Sequence, residues 1–442
     1  MSKRKTFLIP FALVTSLFFL WGIANSLNGI LINHFQLALD LKRWQAGLVD
    51  FAFYLGYFFL ALPAGLFMQR YGYKKGILLG LLLYAGGALL FYPAAEVRTY
   101  GFFLFALFTI ASGLAFLETA ANPYVSILGD PAKAEQRINF AQSFNGLSII
   151  LGPLLGSVLI FTENDFTRDD LMLMPEAQAE AIRIAEAQTV QTPYLGLALI
   201  VLLVALLFYL TPMPEPVQPG ERSDGRWQSI FRHRHLTLGI LAQFFYVGAQ
   251  ACLWGYFIDF KLAMAPDEHF SLVKTMTPFF EWLSGGATEL TLKRWAGFHL
   301  TFCLILFMIG RFVGTALMSV IAPRRLLALF SVAALALMLY AITGDGLSAV
   351  VALMFVNFFL SIMFPTIFAL GTKGLGDQVK LGSSLIIMAI VGGALLPPLL
   401  GWFSDQYSLQ AAYVIPVICF SYILYYAGWG ADTRSLILDP RS

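Results

Sequence analysis

Residues 8–33 read LIPFALVTSLFFLWGIANSLNGILIN, a run without a single charged side chain. A helix needs about 20 mostly apolar residues to cross the hydrocarbon core of a bilayer, so this stretch predicts a membrane-spanning helix. The basic stub before it, Lys3, Arg4 and Lys5, would suit a secretion signal. The run is too long for one, however, and it contains Asn25 and Asn28, so it reads as a retained first helix. Eleven similar stretches follow, near 44–68, 76–95, 99–127, 136–161, 193–211, 237–262, 297–320, 326–343, 347–372, 381–403 and 409–430. Twelve spans nearly consume the 442 residues. Hydrophobic residues make up 58% and charged residues 12%, and the mean hydropathy is +0.74. That composition excludes a soluble domain and leaves no room for a large cytoplasmic enzyme module.

The first span has an echo. Val14 with Leu20-Trp21-Gly22 recurs as Val247 with Leu253-Trp254-Gly255, at identical spacing. Pro123 with Leu128-Gly129 recurs as Pro365 with Leu370-Gly371, and Pro153-Leu154-Leu155-Gly156 as Pro398-Leu399-Leu400-Gly401. Gly65 precedes the pair Lys74/Lys75 as Gly314 precedes Arg324/Arg325. The offsets, 233, 242, 245 and 249 residues, drift with loop length but keep their order. The predicted fold is therefore an all-α membrane protein of 12 helices in two parallel six-helix halves, residues 1–211 and 237–442, joined by a linker at 212–236. This is the layout of major facilitator transporters, which bind substrate at the midplane between the halves.

Basic residues set the orientation. If the N-terminus is cytoplasmic, the loops on that side and both termini hold 18 of the 28 Lys and Arg, and nine lie opposite. Both termini are accordingly predicted inside. The linker is Pro-rich first (Pro212, Pro214, Pro216, Pro219) and then basic, reading as a cytoplasmic connection that ends in an interfacial helix. Its Arg232-His233-Arg234-His235 cluster reads as an anchor against anionic lipid rather than a metal site or pH sensor. Segments 162–191 and 265–296 read as outer loops with short helices. Cys252, Cys303 and Cys419 all fall in apolar spans, as small buried hydrophobes. A net charge of +2 gives no reason to expect a nucleic-acid partner.

Polar residues inside spans mark function by default. Helix 4 carries Glu118 and Asn122 one turn apart, hence on one face. A carboxyl at that depth must be protonated, paired or facing water, and a group that takes up and releases a proton is what a proton-coupled carrier needs. Asp50, near the outer end of helix 2, reads either as an interfacial acid reaching water or as a cation site, for a proton or for sodium. In helix 7, Gln243, Tyr246, Gln250 and Trp254 fall at i, i+3, i+7 and i+11 in a single stripe. Helix 5 adds Gln142 and Asn145, helix 1 Trp21, Asn25 and Asn28, and helix 10 Asn357. Amides beside aromatics suit a sugar, whose hydroxyls need donors and acceptors while its ring packs on an aromatic face. Each amide could instead be interhelical glue. Arg311, inside helix 8, reads as a structural or gating residue. Asp259, Lys261 and Asp405 lie at outer helix ends and read as solvated. No zinc-ligand run, nucleophile elbow or phosphate-binding loop occurs, so neither an enzyme nor ATP drive is expected, and no cofactor.

Several strings resemble the fucose–proton symporter family of the major facilitator superfamily. They are Phe116-Leu117-Glu118-Thr119-Ala120-Ala121-Asn122-Pro123-Tyr124, Gln45-Ala46-Gly47-Leu48 with Phe53-Tyr54-Leu55-Gly56-Tyr57-Phe58, and Leu241-Ala242-Gln243-Phe244 with Tyr246-Val247-Gly248-Ala249-Gln250. Phe364-Pro365-Thr366-Ile367-Phe368 and Gly382-Ser383-Ser384 extend the likeness, which runs from about residue 10 to 430. The resemblance implies import of a monosaccharide such as L-fucose, glucose or galactose across the bacterial inner membrane with a coupling cation. It places Glu118 on the family's helix 4 carboxylate, Asn122, Gln142 and Asn145 on cavity amides, and Asn25 and Asn28 on polar helix 1 positions. One departure stands out: the family's helix 1 aspartate is Gly29 here, and Asp50 stands in helix 2 where an uncharged residue is expected. The carboxylate has, on this view, moved between adjacent helix ends, which leaves both H+ and Na+ open as the coupling ion. A monomer is the default for the architecture. A drug exporter and a non-transporting sugar sensor are the alternatives. The many amides count against the first, and the absence of an output domain against the second.

Overall fold

Inside a bilayer the backbone must satisfy its own hydrogen bonds, which an apolar chain does by coiling into helices. The computed structural model describes residues 3–41, 45, 48–159, 171–214, 230–283 and 292–431, and these contain helices and no strands. In chain order the spanning helices are α1 Lys3–Ala38, α2 Leu48–Tyr71, α3 Tyr73–Val97, α4 Tyr100–Ile127, α5 Ala134–Leu159 and α6 Gln191–Leu210. They continue as α7 Arg234–Gly255, α8 Leu292–Leu317, α9 Pro323–Thr343, α10 in two pieces, Gly346–Leu360 and Met363–Thr372, α11 Val379–Met388 with Gly392–Gln406, and α12 Val414–Tyr425. Eleven helical stretches among the described residues are long and apolar enough to cross a membrane. The twelfth is α5, whose first turns carry Glu135, Gln136, Arg137, Asn139 and Gln142.

Among the described residues four expected spans are interrupted: 237–262 at Tyr256, 409–430 at Tyr413, and those of α10 and α11. Helix α10 breaks at Ser361 and Ile362, four and three residues before Pro365, which has no N–H to give the Ser361 carbonyl. Helix α11 passes through a 3-10 turn at Ala389–Val391 just before Gly392. Short helices fill the segments expected as outer loops: Glu176–Thr189 ahead of α6, and Phe257–Met264, Ser271–Thr275 and Thr277–Leu283 between α7 and α8. Residues 162–170 and 284–291 of those segments lie outside the described residues, as do 215–229, which hold most of the expected linker and its interfacial helix.

The chain packs as two compact units, residues 1–121 with 147–215, and 122–146 with 216–442. In the first, α3 and α4 meet backbone to backbone. A Cβ on Gly80 would lie 2.9 Å from the Gly113 carbonyl oxygen, and one on Gly113 would lie 2.5 Å from that of Gly80. The Tyr84 hydroxyl on α3 donates to the Leu20 carbonyl at 3.0 Å and so ties α3 to α1. In the second unit α8 and α10 approach as closely, since a Cβ on Gly310 would stand 2.2 Å from the Phe358 carbonyl oxygen.

One expectation is overturned. Lys261 is fully buried rather than solvated. The helix Phe257–Met264 carries it into the packed connection, where the Pro266 carbonyl accepts from its ammonium at 2.7 Å in place of water. Asp259 and Asp405 are exposed, and the three cysteines are buried and free of disulfides.

Candidate functional site

In the first unit Glu118 sits in the interior of α4 and is 1% exposed. Its buried neighbours on the same helix are mostly apolar, Ala115, Leu117, Ala120 and Ala121, with Thr119 and Asn122 also buried. A polar group brought to it from another helix is the Tyr57 hydroxyl of α2, which faces the carboxyl. A buried carboxyl is costly as an anion unless hydrogen-bonded, so this environment favours a group that changes protonation state rather than a fixed charge. Asp50 is exposed, on the first turn of the same helix as Tyr57. Two helical turns, about 10 Å along the axis, separate the two residues, so α2 presents Asp50 and Tyr57 on one face at different depths. On α1, Asn25 is exposed and Trp21 half-buried, while the side chain of Asn28 lies outside the described residues.

In the second unit five of the six sequence-selected amides are buried: Asn122, Gln142, Asn145, Gln243 and Asn357. Gln142 on α5 donates through Nε2 to Asn122 Oδ1 at 3.1 Å, pairing α5 with the end of α4. On α7 the stripe divides in two. Gln243 and Tyr246 are buried, and neither the amide nor the hydroxyl finds a hydrogen-bond partner among the described residues. Gln250 and Trp254 are half-buried. Trp254 Nε1 donates to Asn357 Oδ1 at 2.8 Å, and Asn357 Nδ2 donates to its own helix at Leu353 and Met354, 3.3 and 3.2 Å away. Asn357 is thereby committed to holding the indole. Phe307 meets Trp254 edge-on at 5.4 Å between centroids, and Phe364 meets Tyr246 at 6.0 Å.

An orphaned buried amide offers two donors and an acceptor, and a native protein rarely leaves such a group without a use. Gln243 and Tyr246, framed by Phe364, can therefore pair hydroxyls and pack an apolar ring face. Among the described residues no group of three His, Cys, Asp or Glu side chains could hold a metal ion.

Sequence reasoning missed a seam along one face of α5. Lys373 Nζ donates to Glu135 Oε1 at 2.9 Å, Gln136 Nε2 to the Thr315 carbonyl at 3.3 Å, and Asn139 Nδ2 to Thr366 Oγ1 at 3.2 Å. Arg311 Nη1 donates to the Gln142 carbonyl at 2.7 Å. Glu135, Asn139 and Gln142 stand at i, i+4 and i+7, so the stripe was visible, but its partners lie some 170 to 240 residues away. Tyr57 was also missed as a partner of Glu118; it lies inside a quoted motif without any spacing that singles it out.

The sequence profile described as Major Facilitator Superfamily matches residues 11–389. The L-fucose-proton symporter of Escherichia coli is 41% identical over 98% of this chain and 95% of that protein. The glucose/galactose transporter of Brucella abortus is 36% identical over 98% and 96%. The crystal structure of the major facilitator transporter FucP in the outward conformation superposes with a TM-score of 0.84 at 41% identity, covering 97% of this chain and all of that one.

Proposed function

The chain belongs to the fucose–proton symporter family of the major facilitator superfamily, and we propose that it imports a monosaccharide, L-fucose or a related hexose, together with a proton by alternating access. It is a multi-pass membrane transporter and not an enzyme. The observation that carries the reading is the buried Glu118 carboxyl in the interior of α4, faced by the Tyr57 hydroxyl of α2. Neutralising that carboxyl by a proton lowers the cost of passing through an occluded state, so proton and sugar cross together. Asp50 supplies a negative charge near the outer end of α2 and serves the coupling cation there.

The sugar is held by Asn25 and Asn28 on α1, Glu118 and Asn122 on α4, Gln142 and Asn145 on α5, and Gln243, Tyr246, Gln250 and Trp254 on α7. Asn357 acts through Trp254, whose ring it orients. Residues 1–211 and 237–442 are the two transport halves, with 212–236 between them. The protein works as a monomer in the bacterial inner membrane with both termini cytoplasmic, and Arg232 and Arg234 face anionic headgroups.

The test is uptake of labelled L-fucose, glucose and galactose into proteoliposomes under an inward proton gradient or an inward sodium gradient. Accumulation of one hexose under the proton gradient is the expected result. Accumulation under sodium alone would reassign the ion, and no flux under either would reject symport.

A further inference from the structure

Arg311 lies inside the span of α8 and is 3% exposed. No carboxylate among the described residues pairs with it. Its guanidinium instead reaches two main chains, Nε to the Ser361 carbonyl at 2.8 Å and Nη1 to the Gln142 carbonyl at 2.7 Å, while its carbon stands 4.5 Å from the centre of the Phe307 ring. The Ser361 carbonyl is the one that Pro365, four residues on and without an N–H, cannot engage. Arg311 replaces that missing donor. Gly310 beside it lets α8 press onto α10 at Phe358, so this arm of the guanidinium has a fixed base. The other arm grips α5 at the residue whose side-chain amide reaches Asn122.

A rigid, planar fork with diverging donors can serve two helices at once, whereas a lysine ammonium on a flexible stem cannot reproduce that span. A charge in this setting is expensive, and two helices could be joined by apolar packing at lower cost. The arrangement therefore calls for something packing alone does not give: a fixed main-chain position at Gln142 that is registered on the break in α10.

We propose that Arg311 is a positioning residue for sugar recognition, fixing the α5 main chain so that the Gln142–Asn122 amide pair is presented in a single geometry set by the broken helix α10. This rests on the sugar-binding role given to Gln142 above. It makes sugar affinity depend on whether the α5 seam is closed: when Lys373, Thr315 and Thr366 let go of α5, the pin at Gln142 lets go with them and the amide pair relaxes.

The experiment is equilibrium binding of the transported hexose to purified protein by calorimetry, for the unsubstituted chain, Arg311→Lys, Gln142→Ala and the double variant. Arg311 grips the Gln142 carbonyl, so Gln142→Ala leaves that bond in place and the two substitutions meet only through the presented amide. Each single variant is expected to weaken binding about tenfold, and the double also about tenfold rather than a hundredfold. Multiplying effects, or full affinity in Arg311→Lys while Gln142→Ala is weakened, would overturn the positioning role and leave the sugar site standing. Full affinity in Gln142→Ala would bring down the sugar-site assignment and the proposal with it. Pro365→Ala tests the same point without touching Arg311 or Gln142. It returns an N–H to compete for the Ser361 carbonyl and loosens the base of the pin. A several-fold loss of affinity that vanishes in the Gln142→Ala background supports the role, and unchanged affinity overturns it.

Discussion

Lys74 and Arg324 perform one task at equivalent places in the two repeats. Lys74, in the first turn of α3, donates through Nζ to the Tyr209 and Thr211 carbonyls at 2.9 and 2.8 Å, where α6 ends. Arg324, in the first turn of α9, donates through Nε to the Ala427 carbonyl at 2.8 Å and through Nη2 to that of Gly428, where α12 runs out in a π turn. Each cation satisfies carbonyls that have no partner within their own helix and sits at the negative end of the helix dipole. Lys74→Met and Arg324→Met should each lower stability by about 1–2 kcal/mol, read as a fall in melting temperature. Each acts within its own unit, so the double variant should lose the sum.

Replacing Glu118 by glutamine keeps its size and hydrogen bonding but fixes it in the neutral form. Glu118→Gln should abolish accumulation against a sugar gradient while exchange of labelled for unlabelled sugar continues. Tyr57→Phe removes the hydroxyl facing the carboxyl and should slow gradient-driven uptake several-fold without abolishing it. Proteoliposome uptake and counterflow measured side by side check both.

Asp50→Asn asks whether the exposed carboxylate of α2 has taken over the work of the family's helix 1 acid. The expected result is loss of gradient-driven uptake with exchange preserved. Undiminished uphill transport would remove Asp50 from the coupling mechanism.

His34, near the end of α1, is buried against the helix Glu176–Thr189, and its Nε2 pairs with the Glu186 carbonyl at 2.9 Å. Burial outweighs that hydrogen bond and pushes the imidazole down from its ordinary 6.5 to about 4. The ring is therefore neutral at pH 7, and the Glu186 carboxylate 3.6 Å from Nδ1 is not an ion-pair partner there. Above pH 6.5 folded and unfolded states are both neutral at this position and its stability contribution is complete. Between pH 6.5 and 4 the unfolded chain takes up a proton that the folded one refuses, so stability falls as pH falls. The total loss is about 3 kcal/mol and levels off below pH 4. Melting temperatures across pH 7.5 to 4 should show this slope, and His34→Gln should flatten it.

The half-buried indole of Trp254 and the buried amide of Asn357 form a donor–acceptor pair. Trp254→Phe keeps the aromatic face but strands the Asn357 oxygen, which costs about 1–3 kcal/mol. Sugar affinity should drop about tenfold with it. Asn357→Leu in the same background should recover stability but not affinity, because the stranded acceptor is gone while the ring remains unguided. Calorimetric melting and sugar titration separate the two effects.

Much of this was readable in the residues. Runs such as 8–33 and 76–95 announce membrane helices because an unpaired backbone cannot enter a bilayer, and Lys74 and Arg324 were already visible as a repeated basic pair. That they cap α6 and α12 was not, because the partners are carbonyls, which no side-chain pattern records. Glu118 declared itself through its cost. Asn357 did not declare its role, since an amide that binds sugar and an amide that holds a tryptophan look alike in a string. The burial of Lys261 was illegible for a similar reason: its acceptor is the main chain of Pro266, reached only after the connection folds back. The break in α10 could have been read from Pro365, but the donor that repairs it lies fifty residues upstream of the Ser361 carbonyl.

Helix α5 gives its residues 134–146 to one packing unit and 147–159 to the other. The linker read from the sequence at 212–236 holds one crossing between the packing units, at 215/216, but 121/122 and 146/147 are crossings as well. A gene cut at the linker would produce a first fragment, 1–211, whose Glu135, Asn139 and Gln142 carbonyl have lost Lys373, Thr366 and Arg311. That fragment would carry a polar stripe with nothing to answer it, prone to aggregation or degradation when synthesised alone. Made alongside 212–442, it would find its missing donors on the second polypeptide. The two fragments are then obligate companions rather than autonomous halves, and a split-gene complementation strain would need both to grow on the sugar.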